Sequence, residues 1–203
     1  MYGASEGVFI NVPFDRRYKK LFDALVFAVH DCGFFARGAR EQEDSSQFRL
    51  EKLYKIIGEC RYGIHDLSRV TLDSVNRLPR FNMPLELGIF LGAKRFGGQA
   101  HARKSCLILD RDPYRYQIFC SDIGGQDIRA HRNDVRAAVG AVRDWLRTTS
   151  KRSGLRGAKD MANRYVQFRM ELPAICRAAK LDLIDLGFLD YRTLVEEWIV
   201  AHP

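Results

Sequence analysis

The segment Asn82-Met83-Pro84-Leu85-Glu86-Leu87-Gly88 sets an amide side chain and a carboxylate four residues apart, with a proline between them. Proline is favoured in the first turn of a helix, and a helix start there leaves Glu86 in that turn, where the helix dipole supports its ionised form. Glu86 then reads in one of two ways. It is either a helix-starting residue, or a carboxylate fixed at a crevice to stabilise or attack a cationic, oxocarbenium-like sugar carbon during cleavage of an N-glycosidic bond. Gly88 permits close approach of a substrate, or of the helix to a sheet. A second carboxylate, Asp66, follows Tyr62-Gly63-Ile64-His65 and stands two residues before Ser68. It either caps a loop or joins Glu86 in the same crevice. His65 alternates with Ile64 and reads as a structural histidine on the opposite side of the sheet.

These residues need a scaffold, and the hydrophobic spacing supplies one. Val8 to Val12 forms a short apolar run, Lys20 to Val29 has helical spacing, and Gly33 to Ala36 is a second short strand. Phe48 to Ile57 is helical, Cys60 to Leu67 a third strand, Pro84 to Phe96 a helix stopped by Gly97-Gly98, and Ser105 to Leu109 a fourth strand. Arg111 to His131 fits short helix or strand, with Asp127 to Ala130 open as a fifth, edge strand. Asn133 to Leu146 is an amphipathic helix with Asn133 as its cap. After a basic linker from Lys151 to Lys159, two more helices span Lys159 to Ala179, broken or kinked at Pro173, and Asp190 to Ala201. Alternating strands and helices predict an α/β fold, a flavodoxin-like parallel sheet of four or five strands with helices on both faces, plus C-terminal helices. The expected organisation is one domain over residues 1–150, with residues 151–203 a helical extension packed on it.

In such sheets ligands bind at the carboxyl ends of the strands. The loops there offer Asn11, Pro13, Phe14 and Asp15 after strand one and Arg37 and Arg40 after strand two. Asp66 and Ser68 follow strand three, and Asp110, Asp112 and Tyr114 follow strand four. The first loop, Val12-Pro13-Phe14-Asp15, has neither G-x-G-x-x-G nor G-K-[ST], which argues against a dinucleotide-dependent dehydrogenase or a P-loop NTPase. Arg37 and Arg40 suit a phosphate or carboxylate. Tyr114, Tyr116 and Phe119 either stack a base or pack in the core.

Composition narrows the classes further. The net charge of +8 is spread along the chain: Lys and Arg outnumber Asp and Glu by 15 to 12 in residues 1–100, 9 to 6 in 101–150 and 9 to 7 beyond. A nucleic-acid arm would concentrate it, so the expectation is no nucleic-acid partner. Five cysteines with no C-x-x-C pair suit reduced, buried thiols in the cytoplasm. The expectations also include no secretion signal, no membrane span and no metal, since the five histidines are scattered.

The opening Val8-Phe-Ile-Asn-Val-Pro-Phe-Asp15, the strand-end Asp66 and the Asn82 to Gly88 helix start resemble the nucleoside 2-deoxyribosyltransferase and TIR-like superfamily, over about residues 7–130. That resemblance implies a flavodoxin-like sheet and a catalytic glutamate at the position of Glu86, acting in N-glycosidic cleavage of nucleosides, nucleotides or NAD. It also implies a role in antiphage defence. Two departures stand out. The tryptophan and cysteine that TIR NADases carry before the glutamate are here Arg80-Phe81-Asn82, and an insertion containing Leu72 to Arg80 separates Asp66 from Glu86.

The resulting candidate site has Glu86 and Asp66 as catalytic groups. Around the substrate stand Asn11, Pro13, Phe14, Asp15, Arg37, Ser68, Asn82 and Met83, with Asp66 and Asn82 orienting the ribose and Arg37 or Asp15 near the phosphates. No cofactor is expected; NAD or another nucleotide enters as substrate or ligand. The competing reading is a non-catalytic sensor or scaffold that binds a nucleotide signal in the same crevice. A homo-oligomer or a partner protein would accompany either.

Overall fold

A computed structural model describes residues 6–13, 15–41, 44–70 and 81–203. Phe14 and the insertion from Leu72 to Arg80 lie outside the described residues. The element order is β1 (Gly7–Asn11), α1 (Lys19–Asp31), β2 (Phe35–Arg37), α2 (Arg49–Glu59), β3 (Tyr62–Asp66), α3 (Asn82–Phe96), a short α4 (Gln99–Ala102), β4 (Ser105–Asp110), β5 (Arg129–Ala130), α5 (Val135–Ser150), α6 (Ala158–Ala178) and α7 (Phe188–Ala201). All strands run parallel in the order β2-β1-β3-β4-β5, the flavodoxin-like arrangement. Asn11 pairs with His65, and Asp66 with Leu109, so the polar strand ends align along one carboxyl edge.

Successive strand residues point to opposite faces. Val8, Ile10, Tyr62, Ile64, Leu107 and Leu109 pack on one face with α1 and α5. Phe9 packs on the other with Leu53, Ile56 and Ile57 of α2 and Phe90 of α3. Helix α1 is covered on nearly all sides, every residue from Ala24 to His30 being buried, because α6 and α7 lie over it as a further layer. A helix apolar almost all round is the sequence consequence of being sandwiched. Its Phe27 contacts the rings of Tyr165, Phe168 and Trp198.

Several expectations change. α3 begins at Asn82, two residues before Pro84, and its first turn holds no acidic residue. Helix α5 is capped by Asp134, whose carboxylate accepts from the amides of Arg136 and Ala137, while Asn133 precedes the cap in the left-handed conformation. α6 continues through Pro173 as one helix of 21 residues. The segment 111–131 resolves into two single 3-10 turns, Arg115–Ile118 and Ser121–Ile123, and the edge strand β5. Among the described residues no helix is long and apolar enough to cross a membrane.

Candidate functional site

The alternation along β3 decides which candidates meet. His65 shares the α2/α3 face with Phe9 and Phe90, whose rings it contacts at 5.8 and 5.0 Å. Asn11 lies on that face too. Its side-chain amide stands 3.0 Å from Nδ1 of His65 and donates to the Met83 carbonyl at 2.9 Å. Because an amide N–H faces Nδ1, that nitrogen accepts and the ring proton sits on Nε2. Burial without a charged partner drops His65 to a pKa of about 3, so it is neutral. The Asn11 bridge therefore fixes the end of β1 to the first turn of α3, through Met83.

Glu86 stands on that helix one turn beyond Asn82, at the i, i+4 spacing that places both on one face. Glu86 as a residue is 9% exposed, and its carboxyl accepts no hydrogen bond from the described residues. Burial raises its pKa to about 7, against the opposing pull of the Arg49 guanidinium. The sequence expectation of an ionised first-turn glutamate is corrected accordingly: starting the helix at Asn82 moves Glu86 past the free amides, and desolvation dominates. Gly88 lies on the exposed side of α3, and a β-carbon there would meet no described atom, so no described neighbour packs against it.

Glu86 forms the junction of two clefts. One, of about 220 Å³, is polar and is lined by Asn11, Val12, Pro13, Ala39, Arg40, Arg49, Asn82 and Met83. The other, of about 180 Å³, has an apolar wall of Leu50, Leu53 and Leu85. Pro13 and Arg40 also border a third cleft of about 320 Å³, whose far wall is Ile184 to Phe188 at the start of α7. Asp15 lines this third cleft, paired with Arg69 at 3.0 Å, which holds its carboxyl below the usual range.

Asp66, expected beside Glu86, is on the other face of the sheet. It is fully buried and accepts from the Tyr18 hydroxyl and from the Ser68 amide at 2.7 Å, and Nε2 of His131 stands 3.0 Å away. Desolvation opposes its charge, but His131, Ser68 and Tyr18 together outweigh it and hold the carboxyl below its ordinary value. Burial and the Asp66 charge push Tyr18 well up, so its hydroxyl keeps the proton it donates. Ser68 is buried with Asp66 and borders neither of the two Glu86 clefts nor the third beside them.

Arg37 is corrected as well. Its guanidinium donates to Glu41 at 2.6 and 2.9 Å and to Glu59 at 3.0 Å, so two carboxylates already occupy it. Arg40 takes its place at the cleft. Asp110 is buried and held by Arg115, Tyr116 packs in the core with Leu67, Met83 and Ile108, and Tyr114 is exposed.

The structure thus joins Asn11, Pro13, Asn82, Met83 and Glu86, sets Asp15 in the adjoining cleft, and separates Arg37, Asp66 and Ser68 from them. Arg49 and the apolar Leu50, Leu53 and Leu85 come from helix faces rather than strand ends, where the local pattern gives no sign that they line a cleft. Among the described residues no cluster of three or more potential ligands could hold a metal ion. Comparison with protein-family models, curated proteins and solved structures finds no match to the chain.

Proposed function

We propose that the chain is an N-glycosidase that cleaves or transfers the base–ribose bond of a nucleotide-like substrate, such as NAD or a nucleoside monophosphate. The observation that carries this reading is Glu86, a carboxyl without a hydrogen-bond partner among the described residues, at the meeting of a polar cleft and an apolar one. A nucleotide has the same division. Its base fits against Leu50, Leu53 and Leu85, its ribose hydroxyls face Asn82, and its charged end extends toward Arg40.

As the C–N bond breaks, its electron pair leaves with the base, and the sugar carbon becomes cationic. Ionised Glu86 stabilises that cation or bonds to it; water then forms the C–O bond, displacing the glutamate if it is bonded, and gives its proton to the departed base anion, or to solvent when the base leaves neutral from a pyridinium. Arg49 and a cationic base such as a pyridinium favour the ionised form, while the scarcity of water around the carboxylate strengthens its attraction for the cation. The resemblance of Val8–Asp15 and Asn82–Gly88 to the deoxyribosyltransferase and TIR-like superfamily supports the same assignment, and through it a role in antiphage defence.

The test is to incubate the purified chain with NAD, NADP, nucleoside monophosphates and deoxynucleosides and to separate free base by chromatography. Base release by wild type, reduced about 100-fold or more in Glu86→Gln, is the expected result. Equal turnover by the variant removes Glu86 from the chemistry. Saturable nucleotide binding with no base released assigns the cleft to a sensor instead.

A further inference from the structure

A cavity of about 270 Å³ opens on the sheet face opposite Glu86, between the first turn of α1, the loop after β3 and the start of α5. Its charged wall residues are Arg17, Lys20 and Arg69, and Asn133 adds an amide; no carboxylate is among the described lining residues. Arg69 is paired with Asp15, whereas Arg17 and Lys20 form no ion pair with any described residue. Two cations with no carboxylate partner at one cavity repel each other, and an anion between them removes that repulsion.

The walls are also held in place. Tyr18, between Arg17 and Lys20, donates to Asp66, and the backbone carbonyl of Lys20 accepts from Tyr165 of α6 at 3.2 Å. Asp66 accepts the amide of Ser68, the residue before Arg69. His131 lies against Asp66 and accepts the Asn133 amide at 2.9 Å through Nδ1. One buried carboxylate therefore ties together all three segments that carry the polar groups, and a site assembled before its ligand arrives loses little ordering entropy on binding.

We propose that this cavity binds the phosphoryl groups of a small phosphorylated molecule, with Arg17 and Lys20 as the charge-bearing contacts beside the Asp15-paired Arg69. The site is separate from the Glu86 clefts and does not depend on the glycosidase reading.

Calorimetric titration of the full chain with sodium pyrophosphate tests it. Wild type is expected to bind saturably, and more weakly as sodium chloride is added. The double variant Arg17→Gln, Lys20→Gln, at two exposed positions, is expected to bind on the order of tenfold more weakly or worse. Lys94→Gln with Arg95→Gln, the same charge loss at the far end of α3, is expected to leave affinity unchanged, as is Glu86→Gln. Absence of saturable binding by wild type overturns the proposal. So does equal weakening in the two double variants, which reports general charge attraction. Tighter binding of a DNA or RNA duplex than of pyrophosphate, lost in Arg17→Gln, Lys20→Gln, overturns it in favour of a nucleic-acid surface.

Discussion

Glu86 and Asp66 are both buried carboxyls near the carboxyl edge of the sheet, yet their surroundings drive them in opposite directions. Desolvation raises Glu86, with no compensating hydrogen bond from the described residues, while Asp66 is lowered by its three partners despite deeper burial. Folding therefore favours the protonated form of Glu86, and the stability it contributes is present below its unfolded value of about 4.5 and lost as pH rises through about 7. Replacing it with Gln is expected to stabilise the fold at pH 8 but not at pH 4, by on the order of 3 kcal/mol at 1.36 kcal/mol per pK unit, read from denaturant melts. If only the ionised form works, kcat/KM for base release rises with pH through about 7 before levelling, a profile that disappears in Glu86→Gln. Asp66 behaves oppositely: its contribution is present above the ordinary aspartate value and lost as pH falls below it. Asp66→Ala leaves the Tyr18 hydroxyl and the Ser68 amide without their buried acceptor and His131 without its charge neighbour, and is expected to cost about 3 to 5 kcal/mol at neutral pH, read from denaturant melts. A stable Asp66→Ala protein would show that the Tyr18 and His131 contacts are dispensable.

At the scale of elements, periodicity carried most of the information. The helical spacing of Lys20 to Val29 and Phe48 to Ile57 and the apolar strand runs place α1, α2, β3 and β4 within a residue or two of where they lie. The same alternation also held the answer to the site. Phe9, Asn11 and His65 fall on one face and Asp66 on the other, once the parallel register pairing Asn11 with His65 is known. Register depends on contacts between distant segments, and the local pattern of one strand does not contain it. Capping was similarly underdetermined. Asn133 and Asp134 are both good cap residues, and the left-handed backbone of Asn133 leaves the role to Asp134. Gly88 shows the limit of reading packing from a motif, since no described neighbour comes close to it. With no described atom within reach of a β-carbon, Gly88→Ala is expected to stabilise α3 by up to about 1 kcal/mol through helix propensity, without loss of base release. A fall in stability there would mean that this side of α3 is covered.

For the molecule as a whole, the C-terminal helices belong to the same core as the sheet. Phe168 of α6 is fully buried and stacks on Phe27 of α1 at 5.5 Å, with Tyr191 and Trp198 of α7 against its other sides at 5.9 and 5.6 Å. Tyr191 also donates to the Asp23 carbonyl at 2.9 Å, which ties α7 to the first half of α1. Packing of 151–203 on the first domain was expected from the sequence, but its partner, the buried face of α1, was not legible there, because linker composition reports exposure of the connection and not what the following helices cover. A core continuous through Phe27 and Phe168 should melt as one unit. Phe168→Ala leaves a cavity that α1, α6 and α7 cannot all close, and is expected to cost about 3 to 5 kcal/mol. In a chain of this length that lowers the melting temperature by about 10 °C. The informative quantity is the shape of the transition: helix loss and tryptophan fluorescence should shift together, since Trp145 lies in α5 and Trp198 in α7. Two separated transitions, with only the earlier one moved by Phe168→Ala, would instead make residues 151–203 a dissociable cover on a sheet that stands without them.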